Sequence, residues 1–162
     1  MENKERKVDV LDLLITFGAM VFIYFLFFGK TINADANKYN MIISALDSAL
    51  FKNVTLFIYI IAFFTLLIIM VVGFVIYKII FSVLDCRIDD RKLLMTMMLA
   101  NAASYLIGYL LIGIIPNIGY TLISNVLEII IVFGVNYKEI KERLVPALAI
   151  KGGILIVSLL II

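Results

Sequence analysis

"VTLFIYIIAFFTLLIIMVVGFVIYKIIF", residues 54 to 81, holds one charged side chain, Lys78, in a run longer than a membrane is thick. About 20 apolar residues, rising about 1.5 Å each, cross roughly 30 Å of hydrocarbon. The stretch therefore reads as a transmembrane helix that tilts or extends beyond the bilayer, with Lys78 snorkelling to the headgroups. Hydrophobic residues make up 64% of the 162 and charged residues 16%, a balance that no water-soluble domain of this size solvates. Further apolar runs lie near residues 11–29, 93–115, 118–135 and 144–162. The expected fold is all-α: a polytopic integral membrane helical bundle of five transmembrane helices, forming a single transmembrane domain over residues 1–162.

Composition also narrows the function. A net charge of +2, with no basic stripe interleaved with exposed aromatics, gives no nucleic-acid signal. The single cysteine, Cys86, rules out an internal disulfide, and the absence of histidine removes the commonest general base and metal ligand. No nucleophile motif, glycine-rich phosphate loop or carboxylate pair placed for acid-base work is visible. The expectation is a protein that is not an enzyme, with no catalytic residues, cofactor or metal. In "LDCRIDDRK", residues 84 to 92, Asp85, Asp89 and Asp90 read as a solvated charged loop rather than a cation site. Cys86 reads as a free thiol rather than an acylated one.

Orientation follows from Lys and Arg, which are retained on the cytoplasmic side. Lys4, Arg6 and Lys7 precede the first span; Lys78, Arg87, Arg91 and Lys92 surround the second connection; Lys138, Lys141, Arg143 and Lys151 surround the fourth. Only Lys30, Lys38 and Lys52 fall on the other side. The expected placement is a multi-pass plasma-membrane protein with a cytoplasmic amino terminus and an extracellular carboxyl terminus. A basic start, an apolar run and "ADA" at residues 34 to 36 also resemble a cleavable signal peptide. The bulky Phe and Tyr of that run favour a retained first span.

In the outer loop Tyr39, Ile42, Ile43, Leu46 and Leu50 recur at helical spacing, with Asn40, Ser44, Asp47 and Ser48 on the other face. This predicts a short amphipathic helix on the outer membrane surface.

One acid stands inside the fourth run. Glu128 lies in "LISNVLEIIIVFG", residues 122 to 134, where an unpaired charge costs about 2.5–3.5 kcal/mol on insertion scales. It sits about seven residues, roughly 11 Å, from the cytoplasmic end of its span, and Lys151 sits about as far into the next. If "NYKEIKER" joins the two as an antiparallel hairpin, the charges share a layer and form an intramembrane salt bridge. Asn101 falls at the same depth, and with Ser104 it is placed to complete the hydrogen bonding. Asn117, Thr121, Asn125 and Glu128 share one side of the fourth helix, an inward polar stripe. Two main readings of this layer compete, packing glue between helices or a cavity that binds or conducts a solute, with a partner interface as the third. Gly152 and Gly153 beside Lys151 fit either.

Two segments carry a resemblance. "CRIDDRKLLMTMMLANAASYLIGYLL", residues 86 to 111, and "LEIIIVFGVNYKEIKERLVPALAIKGGIL", residues 127 to 155, are similar to a charged turn with a leucine-rich third span, and to a fourth span, basic turn and final span, of the Yip1 superfamily. With the five-span layout, the chain resembles a bacterial-type member. The long cytoplasmic amino-terminal region and tyrosine-rich motif of the eukaryotic trafficking members are missing, so the resemblance does not extend to a GTPase-partner role. It implies a non-enzymatic adaptor or accessory subunit, with the bilayer and other membrane proteins or further copies of the chain as partners. The alternative is a small solute or ion transporter or channel component built on the layer of Glu128, Lys151, Asn101, Ser104, Asn125 and Thr121.

Overall fold

In the computed structural model the described residues are 8–35, 40, 44, 54–115 and 117–161. They form α1 (Val10–Ala34), α2 (Val54–Val83), α3 (Asp90–Leu111), α4 (Asn117–Val135), the single turn α5 (Tyr137–Ile140), a 3-10 turn (Lys141–Arg143) and α6 (Leu144–Ile161). All regular structure among the described residues is helical. The expected outer-loop helix, including Tyr39, Leu46 and Leu50, lies outside the described residues apart from Asn40 and Ser44.

The helix starts follow from local chemistry. The Asp9 side chain caps the first turn of α1 while Asp12 reaches back to the Asp9 amide, a capping box that satisfies otherwise orphaned donors. Asp89 caps α3 by accepting from the Lys92 amide. Between α3 and α4 the chain turns at Gly113, whose φ of 85° suits a residue with no Cβ.

By length and composition α1, α2 and α3 can each cross a membrane, and a fourth span exists if the pair Gly119–Val135 and Tyr137–Val157 is taken as one bent span. Those two segments diverge by 83° at Asn136. In place of a simple hairpin, the chain turns through α5 and the 3-10 turn. Asn136 is fully buried at this corner and bonds back to the Val132 carbonyl, one route by which such side chains bend a helix end.

The least apolar of the three long helices is the most enclosed: 44% of the apolar window of α3 is buried, against 17% for α2 and 11% for α1. Lipid offers no hydrogen bonds, so Asn101, Ser104 and Tyr105 are best accommodated by placing α3 at the centre. Helices α1 and α4 lie closest against it, α2 approaches it more loosely, and α6 meets α2 and α4. One apolar cluster joins α1, α2 and α3 around Met20, Leu66 and Met98; another joins α2, α3, α4, α5 and α6 around Tyr77, Phe81, Leu93 and Phe133.

Gly108 sets the distance between three helices. A Cβ there would stand 2.4 Å from Tyr120 and 2.7 Å from Phe27, whose rings pack with centroids 5.3 Å apart. For a Cβ to fit, both rings must shift. Gly108→Ala should lower thermal stability in mild detergent by about 1–3 kcal/mol, the usual cost of overpacking. An unchanged melting temperature would show that the α1–α3–α4 contact is slack.

Candidate functional site

A charged pair joins α4 to α6. Lys151 Nζ stands 3.1 Å from Glu128 Oε1, and Lys151 is only 7% exposed. The ammonium also lies 4.4 Å from the centre of the Tyr77 ring on α2, within cation–π range. Tyr77 is itself fully buried, and its hydroxyl lies beside the Glu128 carboxylate without a hydrogen bond of normal geometry. The site thus links three helices through one cation, one anion and one aromatic face.

Tyr77 was not among the residues singled out from the sequence, although depth could have found it. It lies six residues from the end of α2 at Val83, about 9 Å, close to the depth of Glu128 in α4.

The other expected members of the layer divide. Asn101 shares a cavity of about 290 Å³ with Glu128 and Lys151, but makes no side-chain hydrogen bond among the described residues. Ser104 donates to the Ser124 carbonyl at 3.3 Å, so it ties α3 to α4 rather than serving the ion pair. Asn125 donates to the Thr121 carbonyl at 2.8 Å within its own helix. The expectation that Asn101 and Ser104 complete the pair's hydrogen bonding is therefore corrected: Tyr77 supplies the third contact. Equal depth brings residues to one layer, but rotation about each helix axis decides which of them touch.

The rest of the cavity wall is aliphatic, including Ile68, Ile69, Val72 and Ile76 of α2 and Met97 of α3. Ile68, Ile69 and Val72 are 63%, 48% and 51% exposed, so the cavity opens sideways across the outer surface of α2. A second cavity of about 290 Å³, wholly apolar and sharing Ile76, continues between α2 and α6 beside Ile79, Ile80, Val83, Ile150 and Ile154.

At the charged end of the bundle, Lys92 of α3 pairs with Glu139 of α5. Burial acts to raise the Glu139 carboxyl, but the Lys92 hydrogen bond, its own backbone amide and the charges of Lys92 and Lys138 outweigh it and hold the group below the usual carboxylate range. Lys78 pairs with Asp90 at 2.7 Å instead of only reaching for headgroups. Asp89 caps α3 while Asp90 pairs with Lys78, so two of the three loop acids have structural roles. Burial pushes the Cys86 thiol up, which makes it a poor nucleophile near neutral pH.

Apolar helices of membrane-spanning length around an enclosed ion pair are features of a helical membrane protein. No protein-family model, curated protein or solved structure matches the chain.

The pair can be tested by a thermodynamic cycle. Lys151→Met leaves a carboxylate in a poor solvent and should cost about 3–5 kcal/mol of stability if the charge persists. Glu128→Gln strands the ammonium in the same way. The double variant removes both charges and should recover much of the loss, measured by thermal unfolding in detergent. Two single effects that simply add would mean that the residues do not interact.

Proposed function

We propose that the chain is a five-span, non-enzymatic membrane protein that acts as an adaptor or accessory subunit through other membrane proteins. In this reading α4 and the α5–α6 unit each cross the bilayer. The amino terminus and the charged turns lie in the cytoplasm, the carboxyl terminus lies outside, and the membrane is the plasma membrane. The Yip1-like segments at 86–111 and 127–155 agree with this assignment, which also gives the protein no cofactor.

The observation that carries the reading is the side on which the cavity opens. Glu128 and Lys151 are paired internally, and the space beside them is rimmed by exposed Ile68, Ile69 and Val72. Hydrocarbon or another helix, rather than water, meets such a rim. A solute pathway is the second reading, favoured by the reach of the same cavity to the Glu128 carboxylate. Conduction requires water to reach that carboxylate from one face, whereas a sideways opening suits capture of a membrane partner.

Two measurements follow. A photoreactive benzophenone residue replacing Ile79, which is 56% exposed beside the apolar cavity, should form a discrete protein adduct in native membranes. The same residue replacing Phe22 on α1, 65% exposed, should mark lipid alone. Protein adducts of equal yield at both positions, or none at Ile79, would count against a specific partner face. For orientation, Asn37→Cys should react with a membrane-impermeant thiol reagent in intact cells and Lys138→Cys should not. The reverse pattern would invert the assigned topology.

A further inference from the structure

The two cavities form one groove along α2. Ile69, Val72, Ile76, Ile79 and Val83 recur at alternating spacings of three and four residues on one face of that helix, and the groove runs from Ile68 to Val83, about 22 Å. Its opposite wall is Ile150 and Ile154 of α6, with Asn101, Glu128 and Lys151 between the ends. The polarity along it is thus apolar near Ile68, polar in the middle, and apolar again toward Val83.

The polar part lacks hydrogen bonds. Among the described residues the Asn101 carboxamide makes no side-chain hydrogen bond, and Lys151, which lines the same cavity, uses one of its three donors. In a medium without water, donors and acceptors left open carry a cost. The occupant of this groove should therefore be apolar at both ends and bring both donors and acceptors to its middle.

We infer that the groove seats a transmembrane helix of another membrane protein, one that carries a single Asn or Gln side chain at the level of Glu128 and Lys151. This deepens the partner reading above and rests on it. A carboxamide complements the cluster in both senses, because its oxygen accepts from Lys151 or Asn101 while its nitrogen donates to Glu128. A single-chain lipid does not match: its polar group is terminal, and filling the apolar part near Val83 would point its tail toward the headgroup layer. A second copy matches less well: its mid-helix carboxamides are Asn101, which already lies inside the groove, and Asn125, which is bonded to the Thr121 carbonyl of its own helix. Rigid β-branched side chains at all five stripe positions lose little rotamer freedom when such a helix docks.

The test uses the full-length protein in phosphatidylcholine vesicles with fluorescent lysine-flanked polyleucine peptides, all-leucine or with one central Asn. Association is read by energy transfer to a dye on a terminal tag. The Asn peptide should bind about tenfold more tightly, within the range for an interhelical hydrogen bond in model peptides. Moving the Asn two turns toward either peptide end should abolish the preference, as should the double variant Glu128→Leu, Lys151→Leu, which removes both hydrogen-bonding groups; Asn101→Leu should reduce it severalfold. The position series needs no change to the protein, so it stands even if a variant folds poorly. Equal binding of all peptides would overturn the inference while leaving the partner reading to the Ile79 protein adduct. Ile79 adducts confined to lipid or to a second copy would overturn both.

Discussion

A carboxylate cannot be left bare among aliphatic side chains, and the arrangement of the second half of the molecule follows from that constraint. Water would stabilise Glu128 by solvation; an apolar interior leaves the task to the protein. Lys151 answers it at 3.1 Å, and for the ammonium to arrive there α6 must return across α4 despite the corner at Asn136. Tyr77 then places its ring against the same ammonium, drawing α2 to the junction. Three helices that otherwise touch sparingly are held by one compensated charge.

The first half is organised by a different force. Between apolar helices in lipid no hydrophobic drive remains, so shape and hydrogen bonding decide which helix lies inside. At the centre α3 keeps Thr96, Ser104 and Tyr105 buried among its neighbours, and Gly108 lets Phe27 and Tyr120 close over it. Around that seam Tyr24 meets Tyr105 with ring centroids 5.0 Å apart and donates to the Ala62 carbonyl. This bond brings α2 to α1. Helix α2 is thus fixed by side chains at scattered points and leaves an open seam between itself and α6.

Much of this layout was legible in the residues before any coordinates. Long apolar runs announce helices because hydrocarbon thickness sets a minimum length: the helices Val10–Ala34 and Val54–Val83 cover the runs anticipated there, whereas Asp90–Leu111 stops four residues short of the expected end at Ile115. Depth arithmetic on an expected antiparallel hairpin paired Glu128 with Lys151, and the two do meet at 3.1 Å, although the segments that carry them bend by 83° instead of running antiparallel. What depth does not contain is azimuth. Asn101 and Ser104 were assigned to the pair by level alone, and α3 turns Ser104 toward the Ser124 carbonyl instead. The Lys92–Glu139 pair was hidden for a related reason: it joins two segments through the path of a turn, which the apolar pattern does not encode. Tyr77 escaped notice because a tyrosine in an apolar run looks like core until a cation is placed over its ring.

The internal pairing of Glu128 also bears on what the site is suited to do. A conducting carboxylate must exchange partners readily, which requires water or a mobile counter-charge at hand. Here Lys151 is almost wholly enclosed, backed by an aromatic ring and flanked by aliphatic walls. Separating the pair to admit an ion would expose two charges to a medium of low dielectric, where their attraction is strongest and their solvation weakest. A hydrogen-bonding group that approaches from the side can instead use the open valences of Asn101 and Lys151 while the pair stays closed. The same features that make the pair a poor gate make it a fixed polar mark on an otherwise featureless apolar groove. In the proposed partner reading, such a mark would give register and selectivity to a contact that dispersion alone would leave free to slide.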